Sequence, residues 1–233
     1  MTTTFRVEAA IFAVAFAVFG LVALALIWSG GWAYELLARV TGHTATTFLD
    51  TGGFATVGGG AIVIDLAGLL HWHGAWSSYV VGVSPSPPIS GFFTADEAAH
   101  MADVRAVFRG AEYAAALALF VLVFRVQRAR RGGGSLRLVR AGAVTAAGIV
   151  TVIGIAAALA FDQLFLLFHD VLFPQGNFLF DPSTSNLIRL YPEWYWQGIT
   201  AGVGLSFIAV AVLVAGASHS ALRRRSNTYT RAG

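Results

Sequence analysis

AAIFAVAFAVFGLVALALIW (residues 9–28) runs without one charged side chain. A helix rises ~1.5 Å per residue, so about twenty apolar residues cross a hydrocarbon core of ~30 Å. The stretch is too long for the ~7–15-residue core of a cleaved signal and reads as a membrane anchor. The whole chain agrees with that reading. Hydrophobic residues make up 57% of it and charged residues 12%, about half the ~25% of a soluble domain. Three more runs qualify as spans, at about 106–126, 141–168 and 198–217. The expectation is an all-α membrane protein of four transmembrane helices, folded as one integral membrane domain over 1–233. Outer-face regions are expected at 30–105 and 169–197.

The arginines orient the bundle. The sequence has no lysine, and its arginines cluster in RVQRARRGGGSLRLVR (125–140), in RRR (223–225) with Arg231, and at Arg6. Basic residues flanking spans stay in the cytoplasm, which places both termini and the 125–140 loop inside. Anionic lipid headgroups are the natural partner of such clusters. No aromatic residues interleave with them as a nucleic-acid stacking surface requires, so nucleic acid is not expected.

A fifth crossing over GFATVGGGAIVIDLAGLL (53–70) would carry Asp65 and several glycines, and would turn the 125–140 arginines outward. Residues 30–93 therefore read as an outer-face region, partly extended. AIVID (61–65) and SSYVVGV (77–83) look strand-like, and PSPPIS (85–90) reads as a loop.

Polar residues inside apolar runs mark the candidate site. Thr94-Ala-Asp-Glu97 is a capping box that opens a helix running into the second span. On it, His100 and Asp103 are three apart and share a face. His169 and Asp170 close the run LAFDQLFLLFHDVLF, and Asp162 stands seven residues before His169. A carboxylate two turns inside a span calls for a partner or a water-filled cavity. Two histidines at the same outer depth suggest one site. Neutral imidazole is the usual base near pH 7, and a carboxylate such as Asp103, Asp162 or Asp170 would set its tautomer. With no cysteine and no GxSxG elbow, no protein nucleophile of those classes is available. A metal site would have to recruit His71 and His73, which on a strand would share a face; no metal and no cofactor is expected. Trp194, Tyr195 and Trp196 read as an interfacial aromatic belt.

HMADVR (100–105), FHDVLF (168–173) and FLFDPSTSNLIRLYPEWYW (178–196) resemble the Lit family of bacterial lipoprotein intramolecular transacylases. Phe178 stands where that pattern has tryptophan, and Ser185 or Asn186 where it has aspartate. The resemblance implies a four-span enzyme of the bacterial cytoplasmic membrane with an outward-facing site. His100 and His169 would be its catalytic pair, with Asp103, Arg189 and Glu193 around them. The implied reaction moves the sn-2 acyl chain of a diacylglyceryl-modified lipoprotein to the amine of its N-terminal cysteine by histidine acid–base catalysis. Membrane lipids and diacylglyceryl lipoproteins would be the partners. The competing readings are a non-catalytic membrane protein that binds lipid or lipoprotein, and a proton-coupled transporter with Asp162 as relay.

Overall fold

The computed structural model describes residues 2–50, 60–88 and 91–231. Its elements are α1 (Thr3–Trp28), α2 (Gly31–Thr41), β1 (Ala45–Leu49), β2 (Ala61–Asp65), α3 (Leu66–Val80), α4 (Ala95–Arg131), α5 (Ser135–Leu159), α6 (Phe161–Leu172), α7 (Asn186–Leu190) and α8 (Glu193–Arg231). Among the described residues four helices are long and apolar enough to cross a membrane: Thr3–Trp28, Ala95–Arg131, Ser135–Leu159 and Glu193–Asn227. The chain divides into two compact units, Met1–Ala25 with Ala111–Leu159 and Ala201–Gly233, and Leu26–Gly110 with Ala160–Thr200.

The first unit is all helix, packed through small residues. Ala13, Ala146 and Ala211 are fully buried beside Phe207. A Cβ at Gly142 would overlap the Phe12 ring, and one at Gly20 would overlap Phe207. In lipid, helices gain little from burying apolar area, so close contact at small residues does much of the holding. One ion pair joins α1 to α4, with Arg125 Nη1 2.6 Å from Glu8 Oε2. Charge divides sharply. Of the fifteen arginines only Arg39, Arg105, Arg109 and Arg189 fall in the second unit, whereas of the twelve carboxylates only Glu8 and Glu112 fall in the first.

The second unit is built on aromatic side chains. Trp76, Tyr34, Phe48, Leu69 and Leu190 form its fully buried centre. The Tyr34 hydroxyl donates to the Leu190 carbonyl at 2.8 Å. Tyr195 is buried in this core, with Trp194 and Trp196 packed against it. Tyr195 is therefore a core residue, not part of an exposed belt.

AIVID forms β2, paired antiparallel with β1 in the register Ala45↔Asp65 to Leu49↔Ala61. Asp65 ends the strand and caps α3, accepting the Gly68 N–H at 2.9 Å. Gly53–Gly59 lie outside the described residues; the remainder of 53–70 is the end of this hairpin and the first turn of α3, with no crossing. The strand expected at 77–83 is instead the end of α3 and a turn. Leu69, His73, Trp76 and Val80, spaced four, three and four apart, are buried, and that helical stripe outweighs the β-propensity of Tyr79-Val80-Val81. The chain then turns at Gly82 (φ 79°), where a side chain would collide with the Arg109 guanidinium.

The third span is also corrected. Helix α5 starts before 141 and stops at Leu159, and Ala160 leaves helical geometry (φ −143°, ψ 48°) before α6 begins. An unbroken apolar run carries no signal for this break. Asp162 is thus not two turns inside a span. It sits exposed in the first turn of α6, where a carboxylate complements the free N–H groups.

Candidate active site

The capping box forms as expected. Thr94 N–H donates to Glu97 Oε2 at 2.7 Å and Glu97 N–H to Thr94 Oγ1 at 3.2 Å. Glu97 also reaches further. Its other oxygen, almost wholly buried, accepts the Ser185 hydroxyl and the Leu187 N–H. One carboxylate therefore locks the start of α4 to the start of α7. Beside it Asn186, fully buried, donates to the carbonyls of Leu49 and Phe92 and accepts the Leu49 N–H at 2.8 Å. An aspartate there could accept but not donate, which gives the asparagine at 186 its physical reason.

These anchors set the loop 173–185 against α4 and α6. His100, one turn into α4, is buried, and His169, on α6, is partly buried. Their rings are 6.3 Å apart and 22° from parallel. Phenylalanines enclose them: Phe173 and Phe180 lie 4.9 and 5.7 Å from His100, and Phe165, Phe173 and Phe178 lie 4.2, 5.5 and 5.1 Å from His169. Phe178, at the position where tryptophan was expected, is thus a wall of the pair. Phe180 also lines a cavity of about 390 Å³ bordered by Asp50, Asp96 and Asp181.

The hydrogen bonds define what each ring can do. His169 Nδ1 lies 2.8 Å from the Phe165 carbonyl oxygen. A carbonyl only accepts, so this bond puts the proton of a neutral ring on Nδ1 and leaves the Nε2 lone pair open. A backbone carbonyl sets the tautomer, in place of the Asp162 or Asp170 carboxylate expected; both of these are exposed. His100 Nδ1 is buried with no hydrogen-bond partner among the described residues. His100 precedes the apolar stretch of α4, and burial, then the His169 imidazole, lower its pKa below 6.5. The Asn177 side chain and the Asp103 charge act in the opposite direction.

Asp103 does not bond to His100. Its carboxylate accepts the Asn177 and Gln175 amides at 2.6 and 2.8 Å, tying the loop to α4. Arg189 donates to the carbonyls of Thr47 and Ser183, both at 3.1 Å. Glu193, exposed, accepts from Gln197 within its own helix. His71 and His73 lie on a helix, not a strand: His71 is exposed, while His73 is buried with Nε2 3.1 Å from the Ser29 carbonyl oxygen. Residues two apart on a helix face different ways, so the shared face expected of them does not form. Sequence reading passed over Gln175 and Asn177, and marked Asn186 only as a departure from the family pattern. Their only signal was amide side chains in a loop otherwise rich in aromatic and turn residues.

Comparison with known proteins bears on the same segments. Residues 82–196 match the model of the family Lipoprotein intramolecular transacylase Lit. That range contains both histidines and every loop anchor from Glu97 to Arg189. The fold is similar to the in meso structure of the membrane integral Lit from Bacillus cereus, with TM-score 0.68, 16% identity and 100% of both chains covered. It is equally similar to two mutants of that protein. One carries a histidine-to-arginine change (TM-score 0.69, 14% identity, 97% and 95% covered) and the other a histidine-to-alanine change (0.69, 14%, 96% of each). No curated protein sequence matches. The resemblance read from the histidine motifs therefore holds for the family-matched segment and for the fold.

Proposed function

We propose that this protein is a lipoprotein intramolecular transacylase-like enzyme of the membrane. It would move the sn-2 acyl chain of a diacylglyceryl lipoprotein to the α-amine of its N-terminal cysteine. The observation that carries the reading is the stacked His100–His169 pair, enclosed by phenylalanines and polarised by the Phe165 carbonyl. The family match over 82–196 supports it.

The chemistry follows from the two rings. His169 Nε2, with Nδ1–H held by the backbone, takes a proton from the substrate amine. The amine nitrogen attacks the ester carbonyl carbon, the C–N bond forms and the acyl C–O bond breaks. The departing glyceryl oxygen receives a proton through His100, and passage of the amine proton to that oxygen restores both rings. Neither a cofactor nor a protein nucleophile is required, because amine and ester belong to one molecule. Holding them together recovers part of the entropic cost of a bimolecular step. The phenylalanine walls suit an acyl chain and keep water, the competing nucleophile, away from the ester.

In this reading the arginine segments 125–140 and 223–225 face the cytoplasm, and His100 and His169 face outward. The clustering of arginines next to the spans at 125–140 and 223–225 supports this by the positive-inside rule. The test is mass spectrometry of lipoprotein N-termini from a bacterial host expressing the chain. An N-acyl, lyso-form cysteine should be formed by the native chain and not by His169→Ala. Unaltered N-termini with the native protein inserted would favour a lipid-binding role without catalysis.

A further inference from the structure

Arg130, near the end of α4, is exposed and makes no ion pair among the described residues. Glu8, on α1, is already held by Arg125. Against α1, the end of α4 presents a groove of about 260 Å³ lined by Phe12, Leu122, Val123, Val126, Gln127 and Arg130. Leu122, Val126 and Arg130 are spaced by four and so share one face of α4. Along ~12 Å of helix that face runs from a buried leucine to an exposed arginine. Phe12 and Leu122 make a buried apolar floor, and Val123 stands half-exposed at the edge.

We propose that this groove binds one anionic phospholipid. An acyl chain lies along Phe12, Leu122, Val123 and Val126, and the phosphate rests on the Arg130 guanidinium beside the Gln127 amide. Apolar length and terminal cation match the two ends of such a lipid in the right order. The surplus of arginine over carboxylate in this unit selects a headgroup of net negative charge over a zwitterionic one. A basic side chain near a membrane surface contributes ~1 kcal/mol toward anionic lipid, about a fivefold preference. The site is separate from the histidine pair and does not rest on the proposed activity.

The test places the full-length protein in nanodiscs of equal dioleoylphosphatidylglycerol and dioleoylphosphatidylcholine, then reads the retained lipid by native mass spectrometry. The native chain should keep the anionic lipid about fivefold over the zwitterionic one. Arg130→Ala should bring the ratio near parity, and Val123→Trp, which fills the groove from a half-exposed position, should remove retained lipid of both kinds. Arg223→Ala, on α8, should leave the ratio unchanged, and excess glycerol 3-phosphate should displace nothing. Parity in the native chain, or full retention in Val123→Trp, would overturn the site. A loss in Arg223→Ala equal to that in Arg130→Ala would replace it with a diffuse basic surface, and displacement by glycerol 3-phosphate would replace it with a soluble-phosphate site.

Discussion

Asn177 Nδ2 donates to Asp103 Oδ2 at 2.6 Å, so a loop amide and a helix carboxylate span the space beside the two imidazoles. Gln175 joins the same carboxylate. Asp103 is a positioning residue: it holds the loop that brings Phe173, Phe178 and Phe180 against the rings. Asp103→Ala should lower kcat about ten- to a hundredfold, the scale of a ~1 Å misplacement. Asp103→Asn, which keeps one acceptor oxygen, should retain more activity. Amide exchange over 174–180 should quicken in the same order, a response that a role confined to proton transfer would not give.

His100→Ala and His169→Ala should each reduce N-acyl cysteine formation by about a hundred- to ten-thousandfold, with both variants inserted at normal levels. The double substitution should be little worse than either single one, because residues acting as one unit lose their effect together. Losses that multiply in the double variant would show that the rings work separately.

His73 predicts how stability follows pH. Burial pushes its pKa from 6.5 down to about 4, against the pull of the Ser29 and Gly30 carbonyls. The unfolded chain takes up this proton near pH 6.5 and the folded chain only near 4, so stability is full above 6.5 and falls as pH drops between the two values. The difference amounts to ~3 kcal/mol at its limit. Thermal unfolding in detergent from pH 7.5 to 4.5 should show the decline, and His73→Phe should flatten it. An equal slope in the variant would assign the decline to other groups.

In the first unit, Gly142→Val should destabilise by about 1–3 kcal/mol through overpacking against Phe12. Gly148→Ala, at an exposed helix position with open space around it, should be neutral or gain up to ~1 kcal/mol from helix propensity. Melting temperatures of the two variants in one detergent check both signs.

Reporter fusions at Gly133, in the turn between α4 and α5, and at Gly233 should both read as cytoplasmic. An external signal at Gly133 would reverse the orientation assigned to the histidine pair.

Much of this protein was legible in its sequence, because spans, caps and hairpins are written in local chemistry. Apolar runs long enough to cross hydrocarbon marked the four long helices. Thr94 and Glu97 announced the start of α4, and the alternation of AIVID announced β2. His169 was recognisable as an interruption of an apolar run, His100 by sharing a face with Asp103 on a capped helix, and both through a family likeness. What sequence could not express was geometry made by distant segments. Whether LAFDQ continues a helix or breaks it depends on packing against other segments, so Asp162 read as two turns inside a span when it is an exposed first-turn residue of α6. Tyr79 and Val80 have strand propensity, yet the buried stripe of Leu69, His73, Trp76 and Val80 keeps them helical. The tautomer of His169 rests on a carbonyl four residues back, whereas carboxylates looked the natural partners. Asn177 reaches Asp103, and Ser185 reaches Glu97, across some seventy to ninety residues of chain. Such bonds carry no sequence period. They exist only once the aromatic core has brought their carriers together, and tertiary structure therefore decided how the histidine pair is enclosed, oriented and held.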